Sequence, residues 1–341
     1  MTERVLTQRE LNRALLARQV LLERATLPLG RALEQVAGLQ AQDLAAPFIG
    51  LWTRVAGFER EHLKRELARR TAVRATLMRG TIHIVAARDY AYFAPATLPM
   101  IQRLWRSYQR GRAPAPNVEE LTVRALAFTA EPRTNAELTE LLGEDAWWRV
   151  RREALFVNSP GDEPWAFGRA RRFVAASAWL DRPLADPEAG RKHLLRRYLA
   201  AFGPAGAADV SAWSGLSIAD LRPTLESLPL RRFRDEGGRL LFDLPRAPLP
   251  DPATPAEPRL LPAFDNAILS HADRTRVIAD DYRRTVIRGG LVDPVVLVDG
   301  FVAGRWSLAR GKAELEPFER LTPSVERALR RELEAVAAFA R

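Results

Sequence analysis

The chain has 341 residues, enough for two to four small domains with real cores, and no cysteine, which excludes disulfides and thiolate-metal sites. Its net charge of +10 is unevenly spread: residues 1–90 hold 15 basic and 9 acidic side chains, whereas residues 251–341 hold 14 of each. A coding bias towards arginine would not place the excess at one end, so the distribution points to a polyanionic partner such as nucleic acid.

Leu11, Leu15, Leu16 and Val20 have helical spacing, and Leu33, Val36, Ala37 and Leu39 repeat it. Pro47 can open the next helix, which carries Phe48, Leu51, Trp52 and Val55, and a fourth helix is predicted near residues 60–70. The period then changes. Residues 74–78 and 81–86 are short β-rich runs joined at Arg79-Gly80, which predicts a hairpin. Helices followed by a two-stranded hairpin are the outline of a winged helix.

The outline recurs. Thr134-Asn135-Ala136-Glu137 is a capping box opening a helix that Gly143 stops, and a second helix is predicted through Trp147, Trp148 and Phe156. A third copy begins with the apolar stripe Leu194, Leu195, Tyr198, Leu199 and Phe202. It continues through Val210, Trp213 and a helix capped at Ser217, and ends in a wing around Asp235-Glu236-Gly237-Gly238. The eight tryptophans are mostly at helical core spacing and read as core. A proline-rich stretch, 245–262, marks a linker or extended wrap. Strands are then predicted at 277–280, 285–287, 295–298 and 301–306, with a two-residue hairpin turn at Asp299-Gly300 and a last helix capped by Thr322. The predicted fold is mainly α with β (α+β): three tandem winged-helix domains (1–115, 116–185, 186–250) plus a C-terminal β-barrel-like domain with a helix packed on it (251–341).

The run Gly38-Leu39-Gln40-Ala41-Gln42-Asp43 is the most informative in the chain. Neither glutamine can act as an acid or base at neutral pH, so any chemistry they do is the positioning of a water. The reaction must then have a good leaving group. Inside a helix the two amides would point about 200° apart, so they can share a water only if the helix has ended by Gln40. Asp43 is expected to cap the next helix rather than act as a base. His83 shares a hairpin face with Thr81, either towards solvent and phosphate or beside the reacting nucleotide. Arg74, Arg79, Arg305 and Arg310 are candidate phosphate contacts. No metal site is visible, because His271 and Asp273 alone are too few ligands.

Gln40-Ala41-Gln42-Asp43 leading into Pro47-Phe48-Ile49-Gly50-Leu51-Trp52 resembles the catalytic segment of the AlkZ/YcaQ family of winged-helix DNA glycosylases, in its Gln-x-Gln rather than its Gln-x-Asp form. Arg79-Gly80-Thr81-Ile82-His83-Ile84-Val85 is similar to that family's first wing. Leu261-Pro262-Ala263-Phe264-Asp265-Asn266 with Ser270-His271-Ala272-Asp273-Arg274 is similar to the start of its β-domain. The segment from Val298-Asp299-Gly300 to Arg305-Trp306 resembles a β-hairpin that approaches DNA in the family, which makes Asp299 and Gly300 candidate DNA contacts.

The resemblance implies three winged helices, a β-barrel and a monofunctional glycosylase with Gln40 and Gln42 as catalytic residues. Asp43, Thr81 and His83 are then the candidate neighbours of the site. Alkylation at N7 makes a purine a cation whose departure needs no protonation. Two neutral amides that place a water at C1′ suit that lesion, and crosslinked forms of it. The expected partner is double-stranded DNA containing alkylated bases, bound by a monomer without a cofactor. No apolar run is long enough to span a bilayer and no signal peptide opens the chain, so a cytoplasmic protein is expected, on the nucleoid when DNA-bound. The rival is a non-enzymatic winged-helix DNA-binding protein, such as a regulator, which would normally bind as a dimer at paired half-sites. A structural protein with no DNA function is a third reading, against which the N-terminal charge excess argues.

Overall fold

The computed structural model describes residues 3–108, 117–168 and 170–341, so the expected boundary between 115 and 116 lies outside the described residues. Helix and sheet are mixed along the chain. Helices Gln8–Arg18, Leu29–Gln35, Ala46–Trp52 and Arg60–Ala68 come first, and the strands Ala72–Thr76 and Ile82–Ala86 follow as an antiparallel hairpin. Arg79 (φ 56°) and Gly80 (φ 69°) turn the hairpin in the left-handed region. The capping box at Thr134 opens Asn135–Leu142, which stops at Gly143 with φ 83°. The helix after it is shorter than its tryptophans predict: it spans Glu144–Val150, and Phe156 instead begins the strand Phe156–Asn158. The segment read as the third copy has helices Pro187–Phe202, Ala207–Ser214 and Ile218–Ser227 and an antiparallel hairpin of Arg231–Asp235 and Leu240–Asp243.

The wings do not stay within their own segments. The first pairs edge to edge with the second, giving a six-stranded sheet in which Arg74 opposes Asn158 and Ala75 opposes Val157. The third takes the N-terminal strand Arg4–Leu6 as a parallel neighbour. The 22-residue helix Ala87–Tyr108, unpredicted because Pro95 and Pro99 interrupt its pattern, packs along Pro187–Phe202. Its buried Tyr90 and Phe93 join Leu15, Val85, Tyr198 and Trp213 in one core, which extends on to Val277 and Val302. Each such large apolar side chain contributes about 1.5–3 kcal/mol by leaving water.

The C-terminal region is an open sheet rather than the expected barrel. Its order is Arg259–Leu261, Val295–Val298, Phe301–Ala309 and Lys312–Pro317, all antiparallel, and the outer strands do not meet. Helix Pro323–Phe339 covers one face through Leu329, Leu333 and Val336, packed with Leu260, Val296 and Trp306. One predicted strand is absent and another is displaced. Val277 and Ile278 are buried in a turn. Of 285–287, Thr285 and Val286 lie in the helix Asp280–Val286 and only Ile287 is strand, beginning Ile287–Arg288, which pairs with Leu291–Val292.

Candidate active site

The helix before the glutamines ends at Gln35, earlier than its apolar spacing predicts. Ala37 (φ 55°) and Gly38 (φ 83°) reverse the chain, and the Gly38 N–H donates to the Leu33 carbonyl. Only glycine fits at 38, because an added Cβ would lie 3.0 Å from the Ile84 carbonyl oxygen and closer still to Val85 Cγ1. From there the backbone is extended. Leu39–Gln40 pairs with the first wing, Gln40 opposite His83, and the Ala41 N–H donates to the Ile82 carbonyl at 2.7 Å. The extended stretch ends at Gln40, which is buried, and Gln42 follows in a bend that leads to the next helix and is exposed.

The segment is clamped from three sides. Arg74 Nη2 donates to the carbonyl of Ala41, between the two glutamines, while Nη1 donates to Asn158 Oδ1 on the second wing. Asn266 Nδ2 donates to the Gly38 carbonyl, and its neighbour Asp265 takes a two-pronged bond from the buried Arg54 at 2.8 and 2.9 Å. Asp43 Oδ1 accepts from the N–H groups of Ala45 and Ala46 at the entry of the next helix, whose N-cap position is Ala45 rather than the expected Asp43.

Gln40 is 6% exposed, and its Oε1 accepts from Arg79 Nη2 at 2.6 Å. Arg79 Nη1 donates to the Trp213 carbonyl, so the third copy holds the arginine that orients the amide. Burial, with a smaller contribution from Arg274, lowers the Arg79 pKa to about 10, which leaves it charged at neutral pH. His83 is fully buried, against the expectation of a solvent-facing imidazole. Its Nδ1 donates to the Thr81 carbonyl at 3.1 Å, leaving Nε2 as an unpaired lone pair. Burial, then the Arg79 charge, push its pKa down to about 3, so it is neutral. Thr81 Oγ1 donates to the Met78 carbonyl within the hairpin turn.

Gln42 is exposed and lines a cleft of about 450 Å³ between the first wing, the end of the long helix and the second copy. Arg79, Arg151, Arg152 and Arg171 also line it, and no carboxylate or imidazole does among the described residues. The last three of these arginines were not singled out from sequence. Their signal lies in the pairing Trp148-Arg151-Arg152: Trp147 is core, but Trp148 is 42% exposed and stacks near Trp105 at the cleft wall.

The other arginine candidates are differently placed. Arg74 is 2% exposed and works inside the protein, as described above, rather than on phosphate. Arg305 is paired with Asp293 and Glu316. The Asp299-Gly300 turn is not a free probe. Asp299 pairs with Arg9 and Arg13, and a Cβ on Gly300 would meet Leu16, Asn12 and Arg13 of the first helix. The exposed hairpin tip is instead Arg310-Gly311, with φ values of 50° and 73°. His271 is a buried tie between Ser270 and the Phe202 carbonyl.

A curated relative, the interstrand DNA cross-link repair glycosylase of Streptomyces sahachiroi, is 25% identical over 324 residues, covering 86% of this chain and 84% of the relative. The solved structure of Streptomyces sahachiroi DNA glycosylase AlkZ superposes with a TM-score of 0.82 at 23% identity, covering 98% of this chain and 97% of that one. The AlkZ-like DNA glycosylase family matches residues 33–339, nearly the whole chain, and the protein belongs to that family.

Proposed function

We propose that this glycosylase hydrolyses the N-glycosidic bond of N7-alkylated, cationic purines in double-stranded DNA, crosslinked ones included, and acts as a monofunctional, monomeric enzyme. The observation that carries the reading is the makeup of the cleft. It offers the neutral amides of Gln42 and Asn158 and four guanidiniums and, among the described residues, no carboxylate or imidazole to protonate a departing base, while Gln40 lies beneath Arg79. A purine that is already a cation leaves without such an acid, whereas an undamaged one does not. Gln42, exposed at the cleft, and Gln40, beneath Arg79, are the proposed catalytic pair. They hold the water that attacks C1′, and their dipoles favour the oxocarbenium-like sugar as it forms. Arg79 is the proposed positioning residue for Gln40, and Arg310 at its exposed tip is a proposed backbone contact. The three helix-helix-wing units, 1–115, 116–185 and 186–250, with 251–341 as the sheet region, are the proposed modules that together cradle the duplex. The relative's printed activity on crosslinks supports the inclusion of crosslinked purines. A panel of duplexes tests the reading. Release of N7-alkylguanine with no release of undamaged guanine is expected. Equal release of both, or none of either, would overturn it.

A further inference from the structure

The cleft wall formed by the end of helix Ala87–Tyr108 and the second copy has an unusual chemistry. Trp105 and Trp148 lie nearly parallel, with ring centroids 6.3 Å apart and 21° between planes. The Arg151 guanidinium sits 3.6 Å from the Trp148 centroid, and that of Arg152 lies 4.1 and 4.5 Å from the two indoles and donates from Nη1 to the Trp148 carbonyl, so part of its fork is already used. Arg171 adds a third charge close enough to Arg151 to disfavour its protonation. Among the described residues no carboxylate pairs with any of the three, whereas buried Arg18 and Arg54 each have an aspartate.

An indole and a carboxylate hold arginine with opposite consequences. A carboxylate fixes the guanidinium but neutralises it and occupies its N–H fork. An aromatic face fixes it through the ring quadrupole and leaves both the charge and the N–H edge available. Three like charges gathered at one wall repel one another, and an anion placed among them relieves that repulsion. A phosphodiester matches the fork geometry.

We propose that Arg151, Arg152 and Arg171 form a clamp for the DNA backbone on the cleft wall contributed by the second copy, with Trp105 and Trp148 as the supports that hold the guanidiniums in place. The clamp rests on the glycosylase reading for its ligand, DNA. It adds a second grip on the strand beyond the Gln42 and Arg79 side, and it gives two partly exposed tryptophans a function that core packing does not. Its distinguishing consequence is that a neutral tryptophan contributes to binding a polyanion.

Fluorescence anisotropy with an undamaged duplex, which the proposed reaction leaves intact, titrated across salt concentrations, tests the clamp without any turnover. The double variant Arg151→Ala/Arg152→Ala should flatten the slope of log K against log salt by about 1.8, from about 0.9 per phosphate contact. Trp148→Leu, which removes no charge, should also weaken binding several-fold. Arg151→Lys/Arg152→Lys, which keeps the charge and spares the fold, should bind between the wild type and the alanine pair, because lysine lacks the planar fork. A wild-type slope in the alanine pair would overturn the clamp, as would full affinity in Trp148→Leu. Neither result touches the glycosylase reading, which fails separately if the wild-type protein releases no base.

Discussion

Replacing Gly38 by alanine tests whether the backbone reversal before the glutamines sets their position. The residue has φ 83°, so a Cβ costs about 1–2 kcal/mol in this left-handed region. The same Cβ meets the Ile84 carbonyl oxygen at 3.0 Å and overlaps Val85 Cγ1, overpacking worth about 1–3 kcal/mol. Together the loss should be about 2–5 kcal/mol, a large part of a typical stability of about 5–15 kcal/mol. Urea unfolding measures it. Val85→Ala removes the nearest obstruction, so the double variant Gly38→Ala/Val85→Ala should recover about 1–3 kcal/mol relative to additivity. It should also recover part of the single-turnover rate, because the strand carrying Gln40 can return to its register with His83. Strict additivity of the two substitutions, within about 0.5 kcal/mol, would refute the steric argument.

Arg74→Met should destabilise the fold by about 1–3 kcal/mol, since it strands the Ala41 carbonyl and Asn158 Oδ1, and should leave the salt slope of DNA binding unchanged. A slope lower by about 0.9 would return Arg74 to the phosphate contacts. Asp299→Ala takes the carboxylate from the fully buried Arg13 side chain and should cost about 1–3 kcal/mol in denaturant melts; an unchanged midpoint would show that the hairpin turn is not anchored on the first helix. Folded His83 stays neutral down to about pH 3, whereas an unfolded histidine protonates near 6.5, so unfolding takes up a proton between those values. Its contribution to stability is complete above pH 6.5 and declines as pH falls, by up to about 1.4 kcal/mol per unit. His83→Leu should therefore lessen the acid dependence of stability by up to one proton between about pH 6 and 4, measured by unfolding at each pH. An unaltered dependence would contradict its burial as a neutral ring.

Elements whose cues were local were legible in the sequence. The capping box at Thr134, the stop at Gly143 and the Arg79-Gly80 turn all act within a few residues, and the structure has them as read. What escaped depends on pairing between distant segments. Nothing within residues 72–76 announces that the first wing continues into the second as one sheet, nor that the strand Arg4–Leu6 joins the third wing. The reading of Asp299-Gly300 was right as a turn, but the Asp299 carboxylate is claimed by Arg9 and Arg13, 290 and 286 positions away. Arginine was the hardest residue to place. Arg74, Arg305 and Arg151 look alike in a basic sequence, yet they are respectively a buried tie, a paired surface charge and a cleft-lining cation. Spacing could suggest that the glutamines share a face once the helix has ended. That Gln40 lies beneath Arg79 while Gln42 is exposed at the cleft follows only from the fold.

The central claim is that Gln40 and Gln42 perform the hydrolysis. Single-turnover release of N7-alkylguanine from duplex DNA by Gln40→Ala, Gln42→Ala and Gln42→Asp tests it most directly. Each alanine variant should be slower by about 10- to 1000-fold, a loss of about 1.4–4 kcal/mol of transition-state stabilisation. Gln42→Asp, which keeps a side-chain oxygen able to hold a water, should retain more activity than Gln42→Ala. Gln42 is the cleaner probe, because it is exposed and its loss leaves no buried partner, whereas Gln40→Ala also deprives Arg79 of an acceptor. Wild-type rates in both alanine variants, with the proteins folded and bound to DNA, would contradict the assignment of the hydrolysis to this pair.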